Sequence, residues 1–97
     1  MIEVIKVMTL PNFQLILKFA NGEQRCFDMR LFLDYPVFKV LQNPGFFSLA
    51  KVDYGTVTWP GDIDIAPETL YAQSFLIDDN EQLKISTGDC SCLIKNL

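Results

Sequence analysis

The chain has 97 residues, 49% of them hydrophobic and 12% aromatic, so a single compact domain can bury a core without metal or disulfides. Its net charge is −4, with eight basic residues scattered among twelve acidic ones. This argues against direct nucleic-acid binding, which needs clustered Lys and Arg to displace counterions from phosphate.

Residues 2–10, IEVIKVMTL, are rich in β-branched and aliphatic side chains and read as a strand with at least one well-buried face. Leu10-Pro11-Asn12 turns the chain. Residues 13–19 alternate: Phe13, Leu15, Leu17 and Phe19 face one way, and Gln14, Ile16 and Lys18 the other. Ala20-Asn21-Gly22 leads into a second alternating run, Glu23 to Met29. The loop between these runs sets the register. A two-residue Asn-Gly loop places Leu17 opposite Cys26 and Leu15 opposite Asp28, which brings a carboxylate onto the apolar face. A three-residue loop with Gly22 in the left-handed conformation places Leu17 opposite Arg25, Leu15 opposite Phe27 and Phe13 opposite Met29. A slip of one residue flips every side chain, so the apolar pattern favours the three-residue loop, with only Arg25 out of place near the tip.

Pro36 opens a short helix through Gln42, and Asn43-Pro44-Gly45 ends it. Phe46 to Asp53 reads as a strand, Tyr54-Gly55 as a turn and Thr56 to Trp59 as the returning partner. Pro60-Gly61 stops that strand and an acidic loop follows. Pro67 then starts a second helix reaching about Ser74, with Glu68 in the first turn where the helix dipole favours negative charge. Ala66 stands at the cap position, where it accepts no hydrogen bond from the helix amides. That costs about 1 kcal/mol relative to Ser or Asp, and Asp64 is the candidate to compensate. Residues 75–97 read either as a C-terminal hairpin or as a partly disordered tail. The expectation is an α+β single domain over residues 1–74, an antiparallel β meander of about five strands with two short helices, followed by an extension over 75–97.

These residues resemble a known family. The features are the strand pair with its Asn-Gly-Glu turn from Phe19 to Asp28, a short helix carrying Phe38 and Leu41, Phe46 or Phe47, Gly55-x-Val57-x-Trp59, and Asp62-Ile63-Asp64-Ile65-x-Pro67-Glu68-x-Leu70-Tyr71. The pattern over roughly residues 2–74 is similar to the bacterial domain-of-unknown-function family 2442. The resemblance implies a small α+β domain with a meander and two short helices, and it supplies no catalytic residues. Members of that family occur alone or fused to a helix-turn-helix domain, and a toxin–antitoxin pairing has been proposed for some. The residues after 74 are too few for such a fusion, and Ala66 and the tail depart from the family pattern.

The candidate sites each have a plain structural reading beside the functional one. There is no histidine, so Ser-His-Asp, Cys-His and HExxH chemistries cannot be assembled from this chain. Asp62 and Asp64, with Glu68, offer oxygen ligands to a hard cation, but the favoured reading is a solvated loop before a helix, with one carboxylate at the helix N-terminus. Trp59 and Tyr71 suit a ligand pocket, but a lone Trp at a strand end more often packs under the adjacent helix, and core packing is the favoured reading. Tyr54 and Tyr35 lie beside turns and are the better candidates for exposed contacts. Cys90-Ser91-Cys92 with Cys26 falls short of a four-ligand zinc set. The odd cysteine count argues against a disulfide framework, and Cys26 reads as a small hydrophobe on its strand. Asp28 and Arg30 read as an ion pair at a strand end.

No run approaches the roughly 18 apolar residues of a membrane span, and no signal-peptide pattern opens the chain, so a cytoplasmic location is expected. The functional expectation is a non-enzymatic protein-interaction module with no cofactor and no metal. It would bind a protein partner or form a homodimer, and it could be the antitoxin-like half of a pair with another small bacterial protein. The alternative is a small-molecule binding domain with a pocket near Trp59 and Tyr71.

Overall fold

In the computed structural model, residues 2–77 are described. Strands β1 (Val4–Leu10), β2 (Gln14–Phe19) and β3 (Gln24–Asp28) form an antiparallel meander. A 3-10 turn over Met29–Phe32, a longer 3-10 segment over Pro36–Gln42 and one helical turn, α1 (Pro44–Phe47), follow. Strands β4 (Lys51–Asp53), β5 (Thr56–Trp59) and β6 (Ile63–Ile65) form a second antiparallel sheet. Helix α2 (Pro67–Ala72) then returns the chain to the first sheet, where β7 (Phe75–Ile77) pairs with β3. The α+β class therefore holds. The strands among the described residues number seven because Ile63–Ile65 and Phe75–Ile77 also pair.

The β2–β3 register is the one set by the three-residue loop: Leu15 lies opposite Phe27 and Leu17 opposite Arg25. Gly22 has φ +93° and its amide donates to the Phe19 carbonyl at 2.9 Å. A side chain at Gly22 would meet open space, so only the left-handed backbone calls for glycine there. The Met29 amide donates to the Phe13 carbonyl at 2.9 Å, which extends the pairing one step beyond the strands.

One expectation is corrected. Phe46–Asp53 is not a continuous strand: Pro44–Phe47 is helical and only Lys51–Asp53 pairs in β4. Asn43 explains the difference. Its side-chain oxygen accepts from the amides of Gly45 and Phe46, and Pro44 takes the first helical position, where a missing N–H costs nothing. The Asn-Pro pair that reads as a helix stop is here also a helix start. The segment over Pro36–Gln42 is a 3-10 helix, and α2 ends at Ala72, two residues before the expected limit.

The main core lies between the facing sides of the two sheets and is closed by the helical segments. Val4, Leu15, Leu17, Phe19 and Phe27 come from the first sheet, Val57, Trp59, Ile63 and Ile65 from the second, and Phe38, Leu41, Phe47 and Leu70 from the helical pieces. A smaller cluster of Leu10, Ile16, Cys26 and Ile77 occupies the outer face of the first sheet. Cys26 is disulfide-bonded, against the expectation drawn from the odd cysteine count. The hairpin-or-tail reading and Cys90-Ser91-Cys92 fall, from residue 78 onward, outside the described residues.

Candidate functional site

The two-residue alternation of β5 and β6 separates the sequence candidates. Val57 and Trp59 point into the core, and so do Ile63 and Ile65 opposite them. Trp59 is 2% exposed, its indole N–H donates to the Phe47 carbonyl at 2.9 Å, and its ring lies 6.1 Å from that of Phe47. Trp59 thus fixes α1 against the second sheet. The acidic loop turns out to hold a strand, because Ile63 and Ile65 both find the core while Asp64 between them stays exposed. Thr56 supports this strand by donating its hydroxyl to the Ile65 carbonyl.

On the outer face of that sheet, Lys51, Thr58 and Asp64 stand in one cross-strand row. They floor an open groove of about 530 Å³ that Leu49, Tyr54, Asp62 and the Trp59-Pro60-Gly61 segment also line. Tyr54 is 95% exposed at φ +51°, and Asp62 has φ +63°. Tyr54, Asp62 and Asp64 are therefore brought together around one surface, with Trp59 beneath it. No group of three or more Cys, Asp or Glu able to hold a metal ion occurs among the described residues. Ala66 gives α2 no side-chain cap, and Asp64 lies in the row opposite Thr58.

Tyr71 lies elsewhere. It packs edge-on to Phe19 at 5.1 Å and lines a separate recess of about 180 Å³ with Ile2, Glu3, Ala20 and Asn21. The Arg25 guanidinium sits 4.3 Å from the centre of the Tyr71 ring. Arg25 also donates to the Ser74 hydroxyl at 2.7 Å, the Ser74 carbonyl at 3.2 Å and Glu23 Oε1 at 2.8 Å. The Tyr71 hydroxyl and then Arg25 hold the Glu23 carboxyl below its usual range. The residue that looked misplaced in the hairpin register is thus the clamp that docks α2 and the start of β7 on β3. Its partner Ser74 lies 49 positions away, so no local pattern could have announced it.

The third surface is apolar. A 3-10 helix repeats every three residues, so side chains at i and i+3 eclipse. In Pro36–Gln42 this puts Phe38 and Leu41 on the buried ridge and Val37 and Val40 on an exposed one. Tyr35, 54% exposed, stands at the start of that segment, edge-on to Phe32 at 5.7 Å, and Leu31 just upstream is also exposed. Sequence reading picked out Tyr35 here but missed Val37 and Val40. The signal was present: four apolar residues in Val37–Leu41 exceed what one buried ridge can take. Asp28 and Arg30, below this surface, form a two-point ion pair, with Nε donating at 2.9 Å and Nη2 at 2.8 Å, and Asp28 also accepts the Arg30 amide.

These features define a small α+β domain of two antiparallel sheets whose polar groups cap, clamp and pair elements of the fold. The chain belongs to the family described as a protein of unknown function, DUF2442, whose match covers residues 4–75. No curated protein and no solved structure matches the chain.

Proposed function

We propose that this domain is a non-enzymatic protein-interaction module that docks a partner on the apolar ridge of its 3-10 segment. The observation that carries this reading is the exposed set Leu31, Tyr35, Val37 and Val40, gathered within residues 31–40. Exposed apolar side chains that gather in one patch mark interaction sites, and Tyr is among the residues enriched as interface anchors. The partner would be another small bacterial protein, this chain acting as its antitoxin-like half, and the net charge of −4 suits a basic partner. A homodimer through the same ridge is the other form of this reading. The cytoplasm is the compartment proposed; no helix among the described residues is long and apolar enough to cross a membrane.

The test is affinity purification of the tagged chain from its native host, run beside the Val37→Asp/Val40→Asp double variant. A stoichiometric protein recovered with the natural chain and lost from the variant supports the reading. Equal recovery from both excludes this ridge as the docking site.

A second reading, small-molecule binding, is favoured by the 530 Å³ groove, whose volume falls within the range of ligand sites. Its site would be the outer face of the second sheet, near Trp59 but not Tyr71. Localised NMR shifts at Tyr54, Thr58 and Asp64 in a metabolite screen would support it, and an unchanged spectrum would exclude it for the metabolites screened.

A further inference from the structure

Strand β1 is the longest described strand and forms an edge of the first sheet. Its two sides differ. Phe19 turns its backbone groups toward β3, since its amide donates to the Glu23 carbonyl at 2.9 Å and its carbonyl accepts from the Gly22 amide. Backbone groups alternate sides along an antiparallel strand, so Lys18, Ile16 and Gln14 turn theirs toward β1. Their partners Lys6, Met8 and Leu10 answer them. Val7 and Thr9 therefore direct their N–H and C=O groups away from the sheet. Val4 does the same, and its amide finds the Gly55 carbonyl at 2.8 Å. No hydrogen bond among the described residues meets the outward groups of Val7 and Thr9. Sheet edges are ordinarily blunted by bulges, charge or proline. A bulge lies between Val4 and Lys6, and Pro11 follows the strand, but Val7 to Leu10 carries none of these. An apolar feature without a use in the fold flanks each end of this open stretch. Ile5 is 45% exposed and belongs to neither core cluster. Beyond Thr9 lies a recess of about 440 Å³ lined by Leu10, Pro11, Phe13, Pro44 and Phe47.

We infer that β1 pairs antiparallel with β1 of a second copy of this chain, about a two-fold axis at Met8. Ile5 lies three positions before Met8 and Pro11 three after it. An axis at Met8 therefore brings Ile5 of each copy level with Pro11 of the other, at the mouth of the recess, and seats both at once. Knob and recess stand on the same chain, which is what an isologous interface requires. Val7 of one copy exchanges both backbone bonds with Thr9 of the other, about four bonds in all. Met8, 52% exposed, meets its counterpart between them, as a close apolar cross-strand pair. The neighbouring registers are worse. An axis at Val7 sets Thr9 against the bulged Ile5 and breaks the ladder there. An axis at Thr9 sets Val7 against Pro11, which has no N–H to donate. The pairing continues the first sheet through two copies and uses none of Leu31, Tyr35, Val37 or Val40, so it goes beyond the ridge reading.

Sedimentation equilibrium and isotope-filtered NOE spectroscopy on the full chain test this. The expected result is a dimer that dissociates on dilution from about 1 mM to about 10 µM. Filtered spectra of a labelled and unlabelled mixture should show cross-peaks from the Ile5 methyls of one copy to the Phe13 ring of the other. The Val7 and Thr9 amides should exchange at least about tenfold more slowly at the higher concentration. Ile5→Asp touches neither core cluster and should weaken the dimer at least about tenfold. Thr9→Pro removes an outward N–H, a change that an edge strand tolerates, and should weaken it likewise. A chain that stays monomeric at about 1 mM, filtered cross-peaks that run to Val37 and Val40 instead, or a dimer unweakened by Ile5→Asp would overturn the inference. Protection of the Val7 and Thr9 amides gained only on adding native-host extract would assign the edge to another protein's strand and would equally overturn it.

Discussion

At the scale of single residues, Arg25 and Trp59 show how polar atoms hold a small domain in one arrangement. Arg25 spends its guanidinium on Glu23, Ser74 and the Tyr71 face, and Lys cannot reproduce that planar fork. Arg25→Ala is expected to cost about 1–2 kcal/mol in urea unfolding, and Arg25→Lys to recover less than half of the loss. Glu23 adds a pH dependence. Its folded pKa is depressed, so its stabilising contribution is present above the ordinary glutamate value of 4.5 and is lost as pH falls through the lower folded value. Glu23→Gln should therefore flatten the stability profile in the acid range below pH 4.5, while leaving the shape of the profile near neutrality unchanged. A titration of both proteins by thermal melting checks this. Trp59→Phe keeps most of the apolar contact but loses the indole bond to the Phe47 carbonyl, which still accepts from the Ala50 amide at 3.2 Å, so the cost is about 0.5–1.5 kcal/mol.

At the scale of elements, the most legible part was the β2–β3 hairpin. Phe13, Leu15, Phe27 and Met29 could share a face in only one of two registers, and Gly22 supplied the left-handed turn that register needs. Gly22→Ala should cost about 1–2 kcal/mol from backbone strain alone, since no neighbour stands within 4 Å of the added methyl. An unfolding midpoint equal to that of the natural chain would mean that the turn relaxes into another conformation. What stayed illegible had a physical cause each time. Asn43-Pro44 is chemically both a stop and a start, and the choice depends on Phe47 finding Trp59 and Phe13 in the core. Ile63–Ile65 is too short for alternation to register, and it becomes a strand only because β5 lies beside it. The 3-10 ridge was half legible: Tyr35 was visible beside its turn, whereas the exposure of Val37 and Val40 depends on a three-residue period rather than the α-helical one.

At the scale of the whole molecule, the two sheets and the short helical pieces of the described residues bury a main core and a smaller cluster, and three of the surfaces they leave bear on function. The groove over the second sheet gathers Tyr54, Asp62 and Asp64, Tyr71 borders a recess with Glu3 and Asn21, and the 3-10 ridge presents apolar side chains to solvent. The family pattern from Trp59 to Tyr71 is explained mostly by architecture: Trp59, Ile63, Ile65 and Leu70 are core residues, and Pro67 starts the helix that Tyr71 and Arg25 hold in place. A pattern with a structural explanation this complete leaves the search for function to the surface. Val37→Asp/Val40→Asp removes no core contact, so its unfolding free energy should stay within about 0.5 kcal/mol of the natural chain. That makes it a clean reagent for binding. The most direct measurement is the quantitative capture comparison from the native host among the natural chain, Val37→Asp/Val40→Asp and Tyr54→Ala. The account predicts a stoichiometric partner with the natural chain and with Tyr54→Ala, and at least tenfold less with the double variant. Recovery of the natural chain without any partner, or equal recovery with the double variant, would contradict it.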